Sequence, residues 1–154
     1  MSLKVALSAP IVSIGLILTS TPANTATPTD ACQVLSAAQV SAALGATVEE
    51  GTHVTPTFTK TCTWIVKDGG IIVTLNIQAM AMFQAGKGTL AGKEVTSASG
   101  VGDESYYIGV GSTVGLEIKK GDSAFKVSVY SSKHSLEQRK AIEKTLAQQA
   151  ASKF

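Results

Sequence analysis

Few residues in this chain have the type and spacing that chemistry requires. The two histidines, His53 and His134, stand in polar, turn-like surroundings. Neither sits in a recognisable serine, histidine and carboxylate set that would activate a nucleophile. Cys32 and Cys62 with two distant histidines make a poor four-ligand metal site, so no metal is expected. Gly86-Lys87-Gly88-Thr89 shares residues with a phosphate-binding loop. That loop needs a glycine where Ala81 stands and Ser or Thr where Gly88 stands, so nucleotide binding is excluded and no cofactor is expected. What remains is a surface. Lys87 and Lys93, Asp103 and Glu104, and Tyr107 offer charge and aromatic contact, and tyrosine is a favoured interface residue. The plain alternative is an ordinary solvated loop and turn. By alternation Tyr106 faces the core with Ile108, which leaves Tyr107 as the exposed aromatic.

The compartment is written more clearly than the chemistry. Lys4 precedes an apolar run from Val5 to Thr19, followed by the small, polar stretch Ser20–Ala26. This is the order of a secretory signal peptide, with cleavage expected after Ala26 and Ala23 as the alternative site. The run falls short of the roughly 20 residues of a spanning helix and contains Pro10 and Gly15, which argues against a membrane anchor. Removing residues 1–26 from 154 leaves 128, enough for one domain (27–154) with one core. The remaining 12 basic and 11 acidic side chains give a charge of +1, so neither nucleic acid nor a strongly charged partner is indicated. In an oxidising compartment the even pair Cys32 and Cys62 reads as a disulfide, with two buried free thiols as the alternative. Cys32 follows a dozen polar or small residues rather than the apolar run, so it is not read as a lipid-anchor cysteine. The protein is expected to be periplasmic or extracellular, without a stable membrane anchor.

The elements that would position such a surface are organised around Thr61–Ala79, a β-hairpin whose register can be tested internally. A two-residue type I′ turn at Asp68-Gly69 pairs Val66 with Ile71, Trp64 with Val73 and Cys62 with Leu75. All six apolar residues then share one face, and Ile65 with Ile72 and Thr63 with Thr74 take the other. A second hairpin turning at Gly121-Asp122 sets Leu116 against Val127, Ile118 against Phe125 and Glu117 against Lys126. Ser36 with Gln39, and Ser135 with Gln138, have capping-box spacing and open two helices. The first ends at Gly45. The second carries Ile142, Leu146, Ala150 and Phe154 on its apolar side and an Arg139–Glu143 pair on its polar side. Thr47–Thr59 reads as an irregular edge strand, Tyr106–Val110 as a strand, Met80–Gln84 as a helical turn packing Met82 or Phe83, and Gln84–Gly102 as a long mobile loop. The fold expected is α+β, a single antiparallel sheet of five or six strands covered on one face by the N-terminal and C-terminal helices.

Asp30-Ala-Cys-Gln-Val-Leu35, Ala38-Gln-Val40, Ala43-Leu-Gly45, Cys62-Thr-Trp64 and Val101-Gly-Asp-Glu-Ser-Tyr-Tyr107 resemble a family of small exported bacterial domains. Many of these are actinobacterial cell-envelope lipoproteins of unknown function. The resemblance implies a Cys-x-Leu-Leu helix tied to a Cys-x-Trp strand, and a Gly-x-Gly-Asp-type turn before a later strand. It transfers no catalytic residue, and the absence of a lipid-anchor cysteine here stops the lipoprotein role from carrying over. The expected function is therefore a non-enzymatic binding or accessory module of the cell envelope, with an envelope protein or small ligand as partner. A structural or inhibitor-like surface domain and a small hydrolase are the alternatives.

Overall fold

The computed structural model describes residues 27–67, 69–88 and 92–154. The expected signal peptide lies outside the described residues. In chain order a 3-10 turn at Ala31–Gln33 is followed by α1 (Ala37–Leu44), β1 (Thr52–His53), β2 (Thr61–Ile65), β3 (Ile71–Gln78) and α2 (Met80–Gly86). Then come β4 (Lys93–Ala98), β5 (Glu104–Val110), β6 (Thr113–Lys120), β7 (Ser123–Ser131) and α3 (Leu136–Ala151). The strands form one antiparallel sheet of seven in the order β1-β2-β3-β7-β6-β5-β4.

Both hairpins have the register that their side-chain alternation demands. Cys62 lies opposite Leu75, Trp64 opposite Val73 and Ile65 opposite Ile72. Leu116 pairs with Val127, Glu117 with Lys126 and Ile118 with Phe125. The first turn differs in detail from a type I′ loop. Gly69 N donates to Val66 O at 3.2 Å, and Gly70 takes the left-handed φ of +57°. The hairpin pairing nevertheless holds up to the turn, where Val66 N donates to Ile71 O at 3.0 Å. Register survives the change because the apolar face fixes it.

The main core lies between the sheet and the two terminal helices. Trp64, Val73, Leu75, Leu116, Ile118, Phe125, Val127 and Leu146 are buried there, and Phe125 stacks on Phe154 with ring centroids 4.4 Å apart. Trp64 is only 1% exposed, so its fluorescence in the folded protein should be blue-shifted and move red on unfolding. A native spectrum like that of tryptophan in water would contradict this packing. Both capping boxes are formed: Ser36 and Ser135 accept from the Gln39 and Gln138 amides, and each glutamine side chain accepts from its serine N–H. Gly45 closes α1 in the left-handed conformation, at φ +67°. The Cys32–Cys62 disulfide ties the 3-10 turn to β2.

Four expectations change. The sheet has seven strands rather than five or six, because Lys93–Ala98 inside the expected Gln84–Gly102 loop forms edge strand β4 on β5. Val95 and Thr96 supply β-branched strand preference there, in a segment otherwise of small residues. The Thr47–Thr59 edge strand shrinks to two residues, with one further bridge from Val48 to Val66. α2 covers the opposite face of the sheet, where Phe83 packs with Tyr106 and Ala124 in a small second core. Lastly, Arg139 and Glu143 are buried against the sheet instead of pairing on a polar face. The reason is local. Pairing of β6 with β7 ends at Leu116–Val127, which leaves Val129 N–H without a strand partner, and Glu143 Oε1 accepts it at 2.9 Å.

Candidate functional site

Of the five residues read as a surface, Lys87, Asp103 and Glu104 come together, and Lys93 and Tyr107 lie apart from them. Lys87 caps the end of α2 and pairs with Glu104 at 2.5 Å, its Nζ lying 4.8 Å from the Phe83 ring centroid. Asp103 accepts from Gly121 N at 2.7 Å and from Lys120 Nζ at 3.1 Å. That backbone hydrogen bond first, and the lysine second, hold its carboxyl below the usual range. Lys93 opens the edge strand β4. Tyr107 lies on the α3 side, because it faces Leu116 across β5 and β6. Rather than standing exposed it is half-buried, its hydroxyl donating to Lys140 O at 2.9 Å, and burial raises its pKa. Tyr106 points the other way, into the α2 core with Ile108, and donates to Phe83 O. Lys87, Asp103 and Glu104 do share the wall of an open cavity of about 450 Å³ with Tyr106. Its charges are already satisfied by one another and by Lys120, so little is left there to recognise a ligand.

A second groove lies on the other side of α2, and there the balance is reversed. It encloses about 500 Å³ and is lined by Phe58, Lys60, Ile77, Ala79, Met80, Met82 and Ala124, with Thr27, Asn76, Gln78, Asp122 and Ser123. Its position follows from the topology. β3 runs on through Ala79 directly into α2, so the end of β3 and the start of α2 make one corner. Gln78 pairs with Ala124, which brings the β6–β7 turn alongside. Ile77 N donates to Lys60 O at 2.8 Å and fixes the chain entering β2. A tight turn, with Phe58 N on Thr55 O at 3.0 Å, presents Phe58 at the rim. Thr27 closes the remaining side through its hydroxyl, 2.7 Å from that of Ser123.

Two large apolar side chains stay in water at this rim: Phe58 is 50% exposed and Met82 62%. The amide side chains of the wall are taken, Asn76 donating to Thr61 Oγ1 at 2.6 Å and Gln78 donating to Glu117. Among the described residues neither Lys60 nor Asp122 is in an ion pair. An apolar floor with a few uncommitted polar groups is the usual make-up of a small-molecule site. The sequence carried part of this signal. Met82 and Phe83 were the two candidates for packing at the helical turn; Phe83 is the buried one, and Met82 turns out to the groove. Phe58 and Lys60 gave no warning, because only the tertiary fold brings them to α2.

The remaining chemistry-bearing residues have structural roles. His53 Nε2 lies 2.9 Å from Asp30 Oδ1, which also accepts from Cys32 N at the same distance. The histidine contact is the largest influence holding the Asp30 carboxyl below its ordinary value. Asp30, Cys32 and His53 are close enough together to hold a metal, but the Cys32 sulfur is bonded to Cys62 and is no thiolate. His134 Nδ1 lies 3.0 Å from Ser131 Oγ. That oxygen accepts the backbone N–H groups of Lys133 and His134 and so forms the turn leading into α3. Compared with known proteins, the chain matches no family model, no curated protein and no solved structure.

Proposed function

We propose that this chain is an exported, non-enzymatic binding module of the cell envelope, released after removal of residues 1–26, with its ligand site in the Phe58–Met82 groove. The observation that carries the reading is the groove itself: about 500 Å³ of concave surface with two large apolar side chains held in water at its rim. Phe58 and Met82 together make an apolar rim to the groove, and the flexible methionine thioether suits an adaptable contact. Several features support the compartment. The Cys32–Cys62 disulfide belongs in an oxidising environment. No helix among the described residues is long and apolar enough to cross a membrane. The resemblance of the cysteine and Val101–Tyr107 motifs to exported bacterial domains points the same way. The non-enzymatic reading rests on the histidines, both engaged in turn and loop contacts outside the groove.

Titration with Nile red, a neutral apolar dye, tests the site. Fluorescence should rise with the exported protein and fall several-fold in Met82→Asp, a substitution at an exposed position that leaves the melting temperature unchanged. Equal enhancement by both proteins would place the apolar binding surface elsewhere.

A further inference from the structure

The charges of the groove specify a class of ligand. We infer that it takes an amphipathic monocarboxylate, with an aliphatic or aromatic body lying over Met80, Met82 and Phe58 and the carboxylate meeting Lys60. This deepens the binding reading above and rests on it. Three observations lead to the anion. First, Lys60 is the one cationic side chain of the groove wall, and no described carboxylate neutralises it. Second, Lys60 is half-buried while Asp122 is exposed at the tip of the β6–β7 turn. Water screens Asp122 more than Lys60, so of the two charges on the wall the lysine acts more strongly on a bound molecule. Third, Asn76 and Gln78 already donate to Thr61 and Glu117, and the hydroxyls of Thr27 and Ser123 share a hydrogen bond. One free cation without an array of further donors matches a single negative charge better than a multiply charged phosphate, which needs several donors.

The apolar part of the wall sets the rest of the molecule. Ile77 and Ala124 form a buried floor, and Met80 is half-buried beside it. A volume of about 500 Å³ is within the range of small-ligand clefts. The cavity is open to solvent at the Phe58 and Met82 rim, so a chain can extend outward past those side chains.

Methionine methyl signals make the test direct, since Met80 and Met82 are the only methionines beyond Met1. The exported protein, labelled with ¹³C-methyl methionine and assigned through Met→Leu variants, would be titrated with octanoate, octanol and octyltrimethylammonium. These share one tail and differ in head charge. Octanoate is expected to shift both methyl signals to saturation and to bind about fivefold more tightly than octanol, as a half-exposed ion pair allows. Octyltrimethylammonium should bind most weakly. Lys60→Met, which keeps the aliphatic stem, should bring octanoate down to the octanol value. Equal binding of octanoate and octanol to the wild type would overturn the carboxylate assignment and leave the groove as a neutral apolar site. A preference for octanoate that persists in Lys60→Met would overturn the role of Lys60. Failure of all three to move Met80 and Met82 would overturn both this inference and the binding reading beneath it.

Discussion

Replacing Cys32 and Cys62 together by Ala should lower the unfolding free energy by about 3–4 kcal/mol, and the melting temperature by roughly 10–20 °C. The bridge spans 30 residues, and opening it returns the closure entropy of that loop to the unfolded chain. The loss should not be evenly spread. α1 has only eight residues, too few to be stable alone, and its entry is held by the disulfide, by Ala31 N on Thr59 O, and by the Asp30–His53 contact. All three tie the 3-10 turn to the β1–β2 region. Hydrogen exchange in the double variant should therefore accelerate across residues 31–44 before it does in β3, which is paired on both sides. A melting temperature within about 3 °C of the wild type would show that the packing of Trp64 and Val40 holds this corner without the bridge.

What the sequence made legible was whatever depends on neighbours along the chain. The capping boxes at Ser36 and Ser135 need only a spacing of three residues, and both form. The two hairpins could be registered because each has apolar residues on alternate positions of both strands, so a slip of one would expose the whole set. β4 escaped notice for the converse reason. Its positions 93–98 have no buried apolar face, since it is an edge strand with mostly exposed side chains, and only its pairing to β5 makes it a strand. Tyr106 is buried with Ile108 as alternation requires, but Tyr107 on the other face is covered too, because α2 adds a second core to the sheet. With a helix on each face of the sheet there are two cores, and alternation alone does not tell which face of β5 meets which.

The candidate site was less legible, for a related reason. Charged residues grouped in sequence, such as Asp103 with Glu104, could be seen, but their partners Lys120 and Lys87 come from other elements and neutralise them. The groove residues Phe58, Lys60, Met82 and Asp122 are scattered over 64 positions and have no local pattern in common. They meet only because β3 carries the chain straight into α2 beside the β6–β7 turn. Arg139 and Glu143 misled in the opposite way. At i and i+4 they have the spacing of a surface ion pair, yet with Leu146, Ala147 and Ala150 they form the buried stripe of α3.

That buried pair leads to the other large effect. Glu143 should make the protein less stable as pH rises from about 4.5 to about 8, and Glu143→Gln should abolish this slope. The carboxyl is fully buried, and burial pushes its pKa from 4.5 up to about 8. The Val129 N–H that it accepts, and then the Arg139 charge, act in the opposite direction without cancelling the burial. Arg139 donates from Nη2 to Ser112 O instead, and Glu143 Oε2 has no hydrogen-bond partner. A raised pKa means that the folded state holds its proton where the unfolded chain has lost it. The neutral form's contribution is therefore complete below about pH 4.5, declines between the two values and is gone above about pH 8. The difference corresponds to a loss on the order of 5 kcal/mol across that window. Glutamine keeps an oxygen for Val129 N–H but carries no titrating proton. The variant should match the wild type near pH 4.5 and exceed it by a few kcal/mol at pH 9. Alanine removes the acceptor as well, and should lie about 1–3 kcal/mol below Glu143→Gln at every pH by leaving that N–H buried without a partner. Urea denaturation of the three proteins at several pH values from 4.5 to 9 gives the comparison. Parallel curves for the wild type and Glu143→Gln would mean that Glu143 is ionised in the folded protein, with Arg139 as its counter-charge.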